Sequence, residues 1–280
     1  MPNIFERKFL QIVGPLIECP PTFFRRVYWR GLFKIKEPGD ARTVYLTIDD
    51  GPIPESTPWL LDTLDRYGVK ATFFMVGDNV RKYPELFAEV KRRGHRVGNH
   101  TMHHLRGSRV TTRKFMRDVA EADALIGSDL FRPPHGWMRF GQTTLVNRKH
   151  RIVMYDIVTR DYSCYLSAQD VIDNVKKYVQ PGSIIVFHDS VKSRPRIRES
   201  LPQCIEWLLE QGYEFRLIPH RDVPVEKDKR KPKKRKEWRG ESRESRVGTR
   251  DELGGTSRLR GKSQELASRC RDQGLGGIIR

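Results

Sequence analysis

From residue 43 to residue 220, short apolar runs alternate with segments in which apolar residues recur every three or four positions. The apolar runs are rich in β-branched residues and end at Gly, Pro or charged residues, which is the pattern of buried strands. They predict strands at Val44–Asp49, Lys70–Val76, Arg96–Asn99, Ile152–Asp156, Ile184–His188 and Glu214–Ile218. The helical periodicity predicts helices at Thr57–Tyr67, Pro84–Arg93, Thr111–Ile126, Ser167–Val179 and Arg198–Gln211.

Strands separated by helices of this length predict an α/β fold with right-handed crossovers and a mainly parallel sheet. Such a chain forms either a barrel or an open doubly wound sheet. No GxGxxG or Walker-type loop opens a predicted helix, so the sequence does not support a nucleotide site. We therefore expect one domain over residues 42–220, with segments of different composition before and after it.

The segment 1–41 mixes aromatic and basic residues, as in Phe23–Arg30. One interpretation is contact with an anionic membrane surface. The other, which we favour, is a lead-in segment that packs on the domain, because Pro15, Pro20 and Pro21 break a long amphipathic helix. The apolar run from residue 9 to residue 17 is too short to span a bilayer and lacks a cleavage site for secretion.

Charge is concentrated at the other end of the chain. The net charge is +18, and residues 221–280 carry about half of it in about one fifth of the length. This composition predicts a disordered, solvated tail, and we favour that interpretation over nucleic-acid binding. The four cysteines show no CxxC spacing, which indicates reduced thiols. We expect a protein of the cytoplasm or of the cytoplasmic face of the membrane; the sequence leaves its oligomeric state open.

Titratable and cationic side chains recur where the apolar runs stop. In α/β proteins, functional groups gather at the carboxyl ends of the strands. Here these positions hold Asp49 and Asp50, His100, Arg132, Asp156 and Asp161, and His188 with Asp189. A solvated Asp-Asp-Gly turn would account for the first pair alone, but five consecutive positions of this kind indicate a site.

The segment His100–His104 carries the most specific signal for a metal. Its first and last histidines align on one face if the segment is helical. Two imidazoles and a carboxylate form a three-ligand zinc site with an open position, and Asp50 is the natural carboxylate. His103 also lies at a usable spacing from His100, so the spacing alone leaves two choices for the second imidazole.

Five segments, taken in order, resemble the motifs of the polysaccharide deacetylase family (carbohydrate esterase family 4, with the NodB-homology domain). Thr47–Pro52 resembles T-F-D-D-G-P, and His100–His104 matches H-[ST]-x-x-H, which selects His104 over His103. Arg132–Gly136 resembles R-x-P-[YF]-G, Asp161-Tyr162 stands where the family has Asp-Trp, and Val186–His188 resembles L-x-H. The resemblance covers about residues 42–220 and implies a distorted, incomplete (β/α) barrel of seven strands.

The resemblance also implies an activity, namely metal-dependent removal of acetyl groups from N-acetylated polysaccharides, oligosaccharides or glycolipid precursors. It assigns Asp50, His100 and His104 as ligands of a divalent ion, expected to be Zn²⁺. Asp49 is the implied general base, held by Arg132. His188 is the implied acid, with Asp161 as its partner.

Three positions depart from the family pattern. His135 stands where the family has Tyr or Phe, Tyr162 stands where it has Trp, and Val186 stands where it has Leu. The resemblance places these positions in the acetyl pocket or substrate groove, with the His135 backbone N–H facing the acetyl oxygen, so we expect an altered substrate preference. Two alternatives remain at this stage: an O-acetyl esterase of carbohydrates, and a non-catalytic basic binding module.

Overall fold

The structure, a computed structural model, describes residues 31–36 and 41–224. The predictions made for residues 1–30, 37–40 and 225–280 lie outside the described residues. The described strands and helices are, in chain order, β1 (Thr43–Asp50), α1 (Thr57–Arg66), β2 (Thr72–Met75), α2 (Gly77–Lys82), α3 (Pro84–Arg92), β3 (Arg96–Asn99), α4 (Thr112–Ile126), β4 (Leu130–Phe131), α5 (Phe140–Val146), β5 (Arg151–Ile152), β6 (Ile157–Val158), α6 (Ala168–Tyr178), β7 (Ser183–His188), α7 (Arg194–Glu210) and β8 (Glu214–Phe215). None of the described helices is both long enough and apolar enough to cross a bilayer.

The strands form one sheet in the order β5-β4-β3-β2-β1-β7-β6, and short β8 pairs with the start of β1. All of these pairings are parallel. The central strand β1 aligns Asp49 with His188 of β7 and Asp50 with Met75 of β2. Parallel pairing brings the carboxyl ends of these strands to one edge, and the incomplete (β/α) barrel predicted from the sequence is confirmed.

Alternate side chains of β1 and β7 point to opposite faces of the sheet and belong to two different apolar cores. Leu46 and Ile48 of β1 and Phe187 of β7 belong to the larger core, which also contains the buried residues of α1, α6 and α7. Tyr45 and Ile184 point to the other face and belong to a smaller inner core. Because successive strand residues face opposite sides, Asp49 and His188 share that inner face.

Residues 31–36, which we call the bridging segment, connect distant parts of the sheet. The Leu32 N–H donates to Ile152 O (2.8 Å), and Leu32 O accepts from the Met154 N–H (2.8 Å). Farther along, the Ile35 N–H donates to Gly182 O at 3.0 Å. Leu32 and Ile35 are buried in the inner core. The bridging segment thus joins the chain after β5 to the start of β7.

We expect Gly182→Ala to destabilise the fold more than a glycine substitution of equal backbone strain. Gly182 has φ +82, and a Cβ there would overlap the backbone oxygen of Ile35. Gly212 has a similar φ of +76, and a Cβ there would have no heavy atom within 4 Å, so Gly212→Ala is the matched control. The control should cost about 1 kcal/mol of unfolding free energy, and Gly182→Ala clearly more. Urea denaturation measures both; equal losses would contradict the close contact.

Several elements differ from their predicted bounds. The strand predicted over Ile152–Asp156 covers Arg151–Ile152 in the structure, and the next residue, Val153, forms an isolated bridge with Leu32 of the bridging segment. Asp156 does not reach the site. Its carboxylate accepts from Ser183 Oγ (2.8 Å) and from the Ile184 N–H (2.7 Å), and so fixes the opposite end of β7.

Candidate active site

Asp50, His100 and His104 converge where β1 and β3 end. The Nε2 atoms of His104 and His100 lie 3.3 Å and 3.8 Å from Asp50 Oδ1. One ligand atom from each residue lies within 4.8 Å of the other two. Two imidazole nitrogens and one carboxylate oxygen are a suitable ligand set for Zn²⁺, with room left for water or substrate.

A second group of possible ligands consists of Asp129, His220 and Asp222. Two of these residues are exposed, and Asp129 already forms an ion pair with Arg96 at 2.8 Å. A guanidinium this close competes with a cation for the carboxylate. The first group is therefore the better candidate for a metal site.

The segment from His100 to His104 is a loop, not the helix that would align histidines four residues apart. Thr101 and His104 have positive φ values of 64° and 53°, which turn the chain back on itself. Asn99 holds this loop, since its Oδ1 accepts from the Thr101 N–H (2.7 Å) and its Nδ2 donates to Val119 O (3.0 Å). The loop brings the two imidazoles together, with ring centroids 5.1 Å apart.

His103 points to Asp118 and not to Asp50, so the geometry favours His104 as the partner of His100. Its Nδ1 lies 2.6 Å from Asp118 Oδ1 on α4. The other oxygen of Asp118 accepts from the backbone N–H groups of Met102 (2.9 Å) and His103 (3.1 Å). Asp118 therefore fixes His103 and the loop backbone together, and leaves His104 facing Asp50.

Burial and hydrogen bonds prepare His100 and Asp50 for a cation. His100 Nδ1 lies 2.8 Å from Arg132 O, so a proton on this nitrogen leaves the Nε2 lone pair toward Asp50. Burial lowers the pKa of His100 well below its usual value, which keeps the ring neutral. Burial alone would raise the pKa of Asp50, but the hydrogen bond and charge of His104, with smaller contributions from His188 and His100, lower it overall.

Asp49 is buried and paired with Arg132. Arg132 Nη1 donates to Asp49 Oδ1 at 2.6 Å and to Thr47 Oγ1 at 2.8 Å. Its remaining N–H groups donate to the backbone oxygens of Val153 and Met154, and the guanidinium carbon lies 4.2 Å from the Phe74 ring centroid. Burial raises the pKa of Asp49 although Arg132 opposes the rise, so this carboxylate is a stronger base than an exposed one.

His188, which is partly exposed, and buried Asp161 form the second pair. His188 Nδ1 lies 2.7 Å from Asp161 Oδ1, and the His188 N–H donates to Asp161 Oδ2 at 2.8 Å. Burial alone would lower the pKa of His188. The charge and hydrogen bond of Asp161, helped by Asp50 and Asp49, outweigh burial and raise it to about 9. The imidazole is therefore protonated at neutral pH and can donate a proton from Nε2.

The three positions that depart from the family pattern differ in exposure. His135 is exposed, with φ 58°, and its ring centroid lies 4.7 Å from that of His104. Tyr162 is half-buried and contacts the His188 ring edge-on at 4.8 Å. Val186 is buried on the strand face that also carries His188. Of these three residues, His135 and Tyr162 therefore reach the protein surface, beside His104 and His188 respectively. We call this surface the site opening.

Three residues that hold the site residues in place, Thr47, Asn99 and Asp118, were not identified from the sequence. Thr47 lies two positions before Asp49 on the same strand face, so strand periodicity contained a signal for it. Asn99 directly precedes His100, but its role depends on partners in α4. Asp118 is distant in sequence and carries no motif.

The chain is similar in sequence and structure to known proteins. A family model described as polysaccharide deacetylase matches residues 36–150. A peptidoglycan-N-acetylglucosamine deacetylase of Bacillus cereus is 31% identical over 186 residues, covering 64% of this chain and 87% of the relative. A chitooligosaccharide deacetylase of Sinorhizobium fredii is 34% identical over 197 residues, covering 64% and 91% of the two proteins. A crystal structure of a peptidoglycan N-acetylglucosamine deacetylase matches with TM-score 0.62 and 30% identity, covering 67% of this chain and 90% of that one.

Proposed function

This chain belongs to the polysaccharide deacetylase family, and on that premise we propose that it hydrolyses the acetamido group of an N-acetylglucosamine-containing saccharide with the help of a divalent cation. Its class, a carbohydrate deacetylase that hydrolyses carbon–nitrogen bonds other than peptide bonds, follows from the family and from the activities for which its relatives are named. The observation that carries the finer proposal is the convergence of three metal-binding side chains with two ion pairs at one edge of the sheet.

Asp50, His100 and His104 are the proposed ligands of the cation, which we expect to be Zn²⁺. These side chains suit a divalent cation, because the lowered pKa values keep His100 neutral and Asp50 ionised, and these are the protonation states that bind metal. A bound divalent cation of this kind lowers the pKa of water to about 7 and polarises a carbonyl oxygen. A residue outside the ligand set orients one of the ligands, since the backbone carbonyl of Arg132 contacts Nδ1 of His100 and fixes the ring.

Asp49 is the proposed general base. It lies next to Asp50 in sequence but is paired with Arg132, so it remains available to take a proton from the attacking water. Its raised pKa increases its proton affinity in the step in which water attacks the acetyl carbon. Arg132 positions Asp49 from a fully buried location, where its guanidinium is fixed by four hydrogen bonds.

His188 is the proposed general acid, which protonates the amine as the carbon–nitrogen bond breaks. Its position opposite Asp49 on neighbouring strands puts base and acid on the same face of the sheet. Asp161 positions the ring and maintains its proton. The backbone N–H of His135 is the proposed donor to the acetyl oxygen, and loss of one such donor costs about 3 kcal/mol of transition-state stabilisation.

We expect Asp161→Asn to move the alkaline limb of the pH–kcat/KM profile to lower pH. A neutral amide no longer raises the pKa of His188 from 6.5 to about 9, whereas burial still lowers it. Because the raised value also stabilises the fold, that contribution is complete below pH 6.5 and is lost as the pH rises through about 9. NMR titration of His188 in the metal-free protein measures the pKa directly. An unchanged pKa in the variant would exclude Asp161 as the partner.

Acetate release from N-acetylchitooligosaccharides by the metal-loaded protein tests the proposed function. A parallel assay with O-acetylated oligosaccharides of the same length separates an amidase from an ester hydrolase, because both reactions use the same groups. We expect faster release from the N-acetyl substrates. Faster release from the O-acetyl substrates would favour the esterase alternative, and no release from either would favour a non-catalytic binding module.

A further inference from the structure

Three arginines, which we call the arginine rim, lie beside the metal centre: Arg106, Arg109 and Arg139. Arg106 follows the proposed ligand His104 by two residues, and Arg109 ends the 3₁₀ turn Gly107–Arg109. Arg139 Nη2 donates to Ser108 O at 3.1 Å, which brings the third guanidinium to the same turn. Arg109 and Arg139 are exposed, and Arg106 is half-buried.

The arginine rim lies beside the proposed metal ligands. Trp137, which contacts Arg106, follows His135 by two residues, and the His135 ring contacts that of His104. The two chain segments that carry the rim contain no acidic residue between Glu89 and Asp118, or between Asp129 and Asp156. Both segments are therefore basic in sequence, and their charge attracts an anion.

Arg106 has the geometry of a receptor for such an anion. Its guanidinium carbon lies 5.6 Å from the ring centroid of Trp137, an arrangement that orients the guanidinium plane. Its Nε is buried and has no hydrogen-bond partner among the described residues. No described carboxylate forms an ion pair with it, so the charge of this guanidinium is not matched by an acidic side chain. Because Nε is buried, an incoming anion would be bound by the two terminal Nη groups of the half-buried side chain.

Aromatic surface lies next to this guanidinium. Trp137, which contacts the Arg106 guanidinium, is 36% exposed and follows His135 by two residues. Exposed aromatic rings are suited to contact the apolar face of a sugar ring. The site opening therefore combines the guanidinium of Arg106 with the exposed ring of Trp137, beside the residues that would hold the acetamido group.

We propose that the saccharide substrate carries a phosphate group and that Arg106 binds it, with Arg109 and Arg139 adding positive potential and Trp137 supporting the sugar. This inference rests on the proposed function, since it names the substrate class of the same site. Arginine binds phosphate through two parallel N–H donors, which gives geometric specificity as well as affinity. The phosphate belongs either to a soluble sugar phosphate or to a lipid-linked saccharide.

Phosphate binding is measurable without catalysis. Calorimetric titration of the metal-free protein with inorganic phosphate should give at least about tenfold weaker binding for Arg106→Gln than for the wild type, because the variant loses the charge-assisted fork. Arg113→Gln removes an equal charge from the exposed surface of α4 and is the matched control, with binding unchanged. Equal binding by the wild type and Arg106→Gln would overturn the assignment.

Substrate preference then tests the site in turnover. Tri-N-acetylchitotriose with a phosphate monoester at its reducing end should show at least about tenfold higher kcat/KM than the unmodified trimer, mainly through KM, since charge pairing acts on binding. Arg106→Gln should reduce this ratio to near one. The same phosphorylated trimer linked to a polyprenyl chain in phosphatidylcholine vesicles distinguishes a lipid-linked source, if it reacts faster than the soluble form.

The two proposals fail differently in this experiment. Equal rates on the phosphorylated and unmodified trimers would overturn the phosphate site and leave the deacetylase function intact. Absence of acetate from both trimers, together with Arg106-dependent phosphate binding, would overturn the proposed function and support the anion site. A variant that loses both rates in parallel, with the ratio unchanged, would make Arg106 a structural residue only.

Discussion

Asp49→Asn should lower kcat by about 10²- to 10⁴-fold while the protein still binds its metal, because general-base catalysis contributes rate factors of that size. The amide oxygen of asparagine can still accept from Arg132 Nη1, but it cannot take a proton from water. Single-turnover acetate release and metal content by atomic emission measure the two properties separately.

The neighbouring carboxylate provides the contrast. Asp50→Asn removes a proposed metal ligand, so metal content and turnover should fall together. In Asp49→Asn, the buried Arg132 loses its anionic partner, which can destabilise the fold by about 3–5 kcal/mol. Thermal unfolding must therefore be measured beside metal content and turnover. A folded Asp49→Asn protein with full turnover would refute the general-base assignment.

His104→Ala should weaken zinc binding by at least about 100-fold and abolish turnover. Loss of a residue that merely orients a ligand typically costs 10- to 100-fold in affinity, and His104 is proposed to be a ligand itself. The measurement is competition for Zn²⁺ with a chromophoric chelator at fixed pH.

His103→Ala is the matched control for that variant. It removes an adjacent imidazole, but this ring contacts Asp118 on the side away from the centre. The backbone N–H of residue 103 still donates to Asp118, so the loop keeps its fixation. Zinc affinity should stay close to that of the wild type. If His103→Ala loses the metal and His104→Ala retains it, the ligand assignment is reversed.

Strands within longer apolar runs were predictable, and isolated short ones were not. β1 and β7 are buried on both faces and therefore read as continuous apolar runs. β5 and β8 are only two residues long but overlap the predicted runs Ile152–Asp156 and Glu214–Ile218. β4 and β6 are equally short and were not predicted, because so short a segment shows no periodicity. The six-residue helix α2 was missed for the same reason, and α7 begins four residues before its predicted start, at Arg194.

The candidate site shows the same division between local and distant information. The residues that carry chemistry stand in short motifs at the ends of β1, β3 and β7, where local sequence reveals them. The residues that orient them are distant in sequence. The family resemblance supplied Arg132 as the partner of Asp49, whereas only the folded chain shows that Asp118 contacts His103. An arginine beside Asp49 would by itself keep the carboxylate ionised, whereas in the folded chain burial outweighs the ion pair and raises its pKa.

The bridging segment has a bearing on the order in which this protein folds. Its residues Leu32 and Lys34 pair with Val153 and Ser183, partners that lie far away along the chain. Contacts of such long range impose a large loop-closure entropy and form late, whereas each strand–helix–strand unit can assemble from neighbours. The bridging segment, which is synthesised before the strands that it contacts, would then be among the last parts of the described domain to reach its native position.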